Sequence, residues 1–118
     1  MRKKINYELE MKKKFEYILE VFARKGRTIA YSHFAEIAKF PHENLQDYKK
    51  LSHILSSIDR EVYPKKGILP SAVVVREGCG VPGQGFFKNV MKMDIDIGYN
   101  EIIFYARELE KVFEYYSK

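Results

Sequence analysis

Cysteine is nearly missing from this chain, Cys79 being the only one. A single thiol excludes an intramolecular disulfide and a cysteine-rich zinc site, and it fits a reducing compartment. Long apolar runs are missing as well. No stretch approaches the roughly 18 apolar residues needed to cross a bilayer. The basic start Met1-Arg2-Lys3-Lys4 is followed by Glu8, Glu10 and Lys12 to Lys14, where a signal peptide would turn apolar. The expectation is a soluble, cytoplasmic protein with no membrane partner. There is no tryptophan, and glycine and proline are few (7 and 4), but four glycines and one proline crowd into Glu77–Gly85. No internal repeat, low-complexity segment or long linker divides the chain.

What is present is a foldable composition, 46% hydrophobic, 31% charged and 14% aromatic over 118 residues. That is far from the disordered signature and enough for one hydrophobic core, so residues 1–118 are expected to form a single domain. The net charge is +5, and its distribution is uneven. Residues 1–27 carry nine basic and four acidic side chains, residues 28–93 nine and six, and residues 94–118 three and six. A positive front and middle suit an anionic partner, nucleic acid first among them, although a charge of this size also serves solubility.

Periodicity outlines the elements. Met11, Phe15, Ile18, Leu19 and Phe22 make one apolar stripe, so a helix is expected over about 6–23, capped by Asn6 and ended by Gly26. Thr28-Ile29-Ala30-Tyr31 reads as a strand stub, and Ser32 as the cap of a short helix through Phe34, Ile37 and Ala38. Lys39-Phe40-Pro41-His42 is a turn, because Pro41 disfavours the helical region at Phe40. From Leu45 to Val62 the apolar residues Leu45, Tyr48, Leu51, Leu55, Ile58 and Val62 repeat helically, and Pro64 and Gly67 are expected to stop that helix. Leu69 to Arg76 has the β-branched run of a strand, which Pro70 confines to an edge or to starting there, and Glu77–Gly85 reads as an irregular turn or wing. Phe86 to Met93 fits helix or strand equally. Asn100 caps a final helix over about 100–116.

Helix, short strand, short helix, turn, long helix, then a β-segment bent through a Gly/Pro-rich wing and a closing helix is the layout of a winged helix-turn-helix. The expected fold is therefore α+β, a winged helix-turn-helix core over 28–93 between two framing helices. An unrelated small α+β domain remains open. Over residues 28–87 the sequence resembles the DNA-binding domain of alkylguanine-DNA alkyltransferases and of the non-catalytic alkyltransferase-like proteins. The resemblance rests on Tyr31-Ser32 through Glu36-Ile37-Ala38, the helix around Lys49-Lys50-Leu51, and Leu69-Pro70-Ser71-Ala72-Val73-Val74 followed by a glycine-rich tail. Pro82-Gly83-Gln84-Gly85-Phe86 is also similar to a Pro-Gly-x-Gly-aromatic stretch of small winged-helix proteins. The resemblance implies a DNA-reading fold with Lys49 where the family has its intercalating arginine. It departs at the chemistry: Pro70 is followed by Ser71, Ala72 and Val73, so the family's reactive cysteine, histidine and arginine are missing. Transfer of an alkyl group needs a thiolate beside a base, and no enzyme is expected.

The residues expected to contact duplex DNA are Lys49, Lys50, His53, Ser56, Ser57 and Arg60 on the long helix, Lys65 and Lys66 at its end, and Arg76 and Lys88 on either side of the wing. A solvated helix face accounts for the same letters. The lysines of the first helix alternate with glutamates at helical spacing, which favours a solvated face there. His33, His42 and His53 match no common metal spacing, the glycine-rich stretch lacks the ending of a P-loop, and Cys79 has no histidine near it in sequence, so no metal or cofactor is expected. Phe104, Tyr105, Phe113, Tyr115 and Tyr116 are more aromatics than one helix face buries. They raise an alternative in which the scaffold binds another protein, as a phage or mobile-element inhibitor does.

Overall fold

The computed structural model describes residues 2–118, with side chains from Tyr7 onward. Five helices and a two-stranded sheet follow one another as α1 (Arg2–Arg24), β1 (Ile29–Ala30), α2 (Tyr31–Ala38), α3 (Leu45–Lys66), a 3-10 turn (Pro70–Val73), β2 (Val74–Val75), α4 (Gln84–Lys92) and α5 (Glu101–Tyr116). The fold is mixed α+β and mostly helical.

The long helices lie where their apolar periods fall, because each stripe finds a common core. Phe15 of α1, Phe34 of α2, Leu51 and Ile58 of α3, Val90 of α4 and Val112 of α5 are all fully buried. Phe15 meets Phe34 edge to face at 4.9 Å and Phe40 at 5.5 Å, clamping α2 and its exit against α1. Gly26 (φ 64) ends α1 in the left-handed conformation that glycine adopts cheaply. Asn100 caps α5 as its sequence position requires, its Oδ1 accepting from the backbone N–H groups of Ile102 (2.8 Å) and Ile103 (3.2 Å). Asn44 does the same for α3, accepting from Asp47 N at 2.9 Å.

Several expectations are corrected. α1 starts at Arg2, so Asn6 lies within the helix rather than at its cap, and its side chain is outside the described ones. α2 starts at Tyr31 with Ala30 as its uncapped N-cap, while the Ser32 hydroxyl donates to the Glu77 carboxylate instead. α3 passes through Pro64 in its last turn rather than stopping before it, and ends at Gly67 (φ 70). The strand expected over 69–76 is mostly a 3-10 turn, and only Val74 and Val75 are extended. They pair in parallel with β1, Ile29 against Val74 and Ala30 against Val75. The reason is Asp59 of α3, whose carboxylate accepts from Ser71 N (3.0 Å) and Ser71 Oγ (2.5 Å) and so holds the chain in a turn at Pro70–Val73. Every residue from Ile68 to Val75 is buried, with α1, α3 and α5 all packed on that turn.

The glycine-rich stretch forms no β-hairpin among the described residues. Arg76 N donates to Val81 O (2.8 Å), closing a tight loop, and the chain then enters α4 at Gln84. Phe86 to Met93, which the sequence left undecided between helix and strand, is thus helical up to Lys92.

Candidate nucleic-acid interface

α3 has one face free of the core. Lys49, His53, Ser56 and Arg60 recur at i, i+4, i+7 and i+11, and at 3.6 residues per turn they form one stripe, with Lys50 and Ser57 beside it. Lys49, Lys50, His53 and Arg60 are exposed, whereas Ser56 and Ser57 are half-buried. The carboxylates of α3 are all turned elsewhere. Asp47 accepts from Glu43 N at the first turn, Asp59 is buried, and Glu61 pairs with Lys12 of α1. The stripe therefore carries cations and hydroxyls and no acid.

Two walls flank it. On one side the first turns of α1 overhang a groove of about 700 Å³ in which Tyr7, Leu9, Phe40 and Ile54 supply apolar surface, with Lys49, Lys50, His53 and Ser57 along the α3 edge. Glu8 and the paired Lys12 form the other edge. On the other side α4 runs alongside α3 in the same direction. Gly85 lies so close to Ser52 that an added Cβ would stand 2.7 Å from Ser52 Oγ, and a larger residue there would require that hydroxyl to turn aside. One turn later Asn89, only 4% exposed, donates through Nδ2 to Ser56 O (3.2 Å) and accepts at Oδ1 from Arg60 Nη1 (2.7 Å). α4 thus fixes the direction of Arg60.

Lys88 and Lys92 are exposed on α4, one helical turn apart and adjacent to the Gly85–Asn89 side that faces α3. Lys88 was expected to follow a wing and instead sits mid-helix. Lys92 and Asn89 were missed by the sequence reading. Only the alternation of Gly85, Asn89 and Lys92 within a helix could have flagged them, and the sequence left that segment undecided.

The remaining expected contacts are not brought into the stripe. Lys66 is turned to the opposite flank, its Nζ 5.4 Å from the centre of the Tyr115 ring, in a cleft with Glu16, Glu20 and Tyr116. Lys65 lies on the α1 side, where its charge helps hold the Glu61 carboxyl below its usual range after the larger effect of Lys12. Arg76 stands in the loop after β2 with Nη2 3.3 Å from Cys79 Sγ, its Cδ against Gly83 at the start of α4. It is exposed at the N-terminal end of the α3–α4 seam rather than along it.

Other chemistry-bearing residues are occupied structurally. Burial raises the Asp59 carboxyl to about 7, against the lowering influence of the two Ser71 hydrogen bonds. The Tyr105 hydroxyl donates to Ala72 O at 2.7 Å, and burial pushes its pKa up. Tyr31 accepts from Gly83 N at 3.3 Å, and its pKa is likewise raised, mainly by burial. Among the described residues no three His, Cys, Asp or Glu side chains come close enough to hold a metal, and no helix is long and apolar enough to cross a membrane.

The aromatics of α5 are largely absorbed by packing. Tyr105 is buried, and Phe104, Phe113 and Tyr116 lie partly buried against the core. Exposed apolar surface gathers instead before and at the start of α5, at Tyr99, Ile102 and Ile103.

The chain matches no family model, no curated protein and no solved structure.

Proposed function

We propose that this chain is a non-catalytic duplex-DNA-binding protein, a regulator or accessory factor, which lays α3 in the major groove in the manner of a winged helix-turn-helix domain. One observation carries the reading: the exposed stripe of α3 holds Lys49, Lys50, His53, Ser56, Ser57 and Arg60 with every α3 carboxylate directed away from it. A helix of this kind fits the width of the major groove, its cations neutralise phosphates, and its serines permit close approach. In this reading α4, with Lys88 and Lys92, takes the part a β-wing plays elsewhere, and Arg76 contacts backbone at the end of the seam. The resemblance of residues 28–87 to the DNA-binding domain of alkyltransferases supports the same docking. Ser71, which follows Pro70 where that family has its cysteine, is buried and its hydroxyl donates a hydrogen bond to Asp59, which supports a non-catalytic role.

The test is fluorescence anisotropy on duplex DNA over a range of salt. Affinity is expected to fall steeply with salt, and Lys49→Ala or Lys88→Ala to reduce the slope by about one unit each. Binding absent at low salt, or indifferent to salt, overturns the reading.

A protein-binding role is favoured by one observation of its own, the exposure of Tyr99, Ile102 (52%) and Ile103 (53%) around the start of α5. Stoichiometric recovery of a host protein after nuclease treatment, lost in Ile103→Asp, would establish it.

A further inference from the structure

Resting on the DNA-binding reading, we infer that Asn89 is a positioning residue which presents the Arg60 guanidinium as the guanine-reading group of the interface. The other cations of the interface, Lys49, Lys50, Lys88 and Lys92, are exposed lysines with no hydrogen-bond or ion-pair partner among the described residues. Flexible ammonium groups of this kind suit phosphates, which carry no sequence information. Arg60 is different. Its Nη1 is tied at 2.7 Å to the Oδ1 of an amide that is itself buried and anchored to Ser56 O on the same helix.

One Nη1 hydrogen satisfies Asn89, which leaves the Nε–Nη2 edge of the guanidinium with two parallel N–H donors. Among the described residues no carboxylate forms an ion pair with Arg60. Its α3 neighbour Asp59 is buried and occupied by Ser71, and Glu61 belongs to Lys12. Two parallel donors in a fixed plane match the O6 and N7 acceptors of guanine in the major groove. Holding the fork before binding also spares the entropy of ordering a long side chain, so the anchored arginine can discriminate where a free one would only neutralise charge. The ligand class is therefore B-form duplex with a G·C pair at one fixed position, since the deep, narrow major groove of A-form RNA does not admit such a helix.

The experiment selects preferred sites for the full chain from randomised duplexes. Binding of the preferred duplex is then compared with duplexes in which each guanine in turn is replaced by 7-deazaguanine, which keeps base pairing and removes N7. Wild-type protein is expected to lose about tenfold in affinity at one guanine. Arg60→Lys, which keeps the charge, should lose that discrimination. Asn89→Ser should lose it too while keeping the salt slope and the affinity for unselected DNA within about twofold. Asn89→Asp keeps an acceptor for Nη1 and should retain more of it. Salt-dependent binding with no guanine sensitive to the replacement, or a folded Asn89→Ser protein that discriminates as wild type does, overturns the inference and leaves DNA binding standing. Absence of salt-dependent binding overturns both. Should Asn89→Ser fail to fold, the wild-type series and Asn89→Asp still decide.

Discussion

Asp59 and Arg60 are neighbours on α3, yet they end in opposite surroundings. Asp59 points inward, 1% exposed, and both its oxygens hold Ser71 at the start of the buried 3-10 turn. Arg60 points outward between α3 and α4 and is held from behind by Asn89. Each is an ionisable group fixed by hydrogen bonds, but the inner one determines where the chain goes and the outer one keeps donors open at the surface. A polar network closed on itself rigidifies a core, whereas one at the surface with donors to spare has them available for solvent or a ligand.

The inner network should break first and hardest. Asp59→Ala leaves the Ser71 N–H and hydroxyl buried without a partner, and should cost about 3 kcal/mol of stability in chemical denaturation near pH 4, where the Asp59 contribution is fully present. Arg60→Ala removes the partner of the buried Asn89 Oδ1 and should cost about 1 kcal/mol in the same measurement, less than Asp59→Ala because a single acceptor is orphaned at the edge of the seam. If the two costs proved equal, the division between an inner structural charge and an outer functional one would fail.

The same contrast has a pH signature. The folded-state pKa of Asp59 is raised from 3.8 to about 7 by burial, so the native state binds this proton more tightly than the unfolded chain. Its contribution to stability is fully present below about pH 4, declines as pH rises, and is lost once pH passes about 7. Asp59→Asn, which cannot ionise, should remove that decline, so that the variant gains on the wild type between pH 4 and 8 in melting experiments. A wild-type curve that rises over this window would place the carboxylate as a stabilised anion instead.

On the outer side, Arg60→Ala and Lys49→Ala should each weaken duplex binding by about 1–2 kcal/mol, read as a Kd change at fixed salt. Lys66→Ala provides the internal control. Its ammonium sits against Tyr115 on the far flank, so DNA affinity should stay within about twofold of wild type, a change of about 0.4 kcal/mol at most. A large loss at Lys66 would move the interface away from the α3–α4 seam.

Much of the architecture was legible because it is local. The stripe Met11, Phe15, Ile18, Leu19, Phe22 located α1, and Leu51, Leu55 and Ile58 located α3, since a helix repeats its buried face every 3.6 residues whatever it packs against. Asn100 and Gly26 marked helix ends correctly for the same reason, their hydrogen bonds and dihedrals being set within a few residues. The exposed face of α3, and with it Lys49, Lys50, His53, Ser56, Ser57 and Arg60 as a group, followed from that periodicity. Ser32 was misread because its hydroxyl finds Glu77, forty-five residues later, in preference to its own helix end.

By itself, then, the sequence determined the three long helices and the cationic character of one face of α3, which depend on spacing along a single element. Only the tertiary structure decided the rest. It turned Pro70–Val73 into a 3-10 turn because a carboxylate twelve residues earlier grips Ser71, and it set β2 in parallel beside β1. It sent Lys65 and Lys66 away from Arg60, and brought Lys92 and Asn89 of α4 to the seam in place of a β-wing. Such placements are fixed by contacts between residues distant in the chain, and local propensity has no means of expressing them.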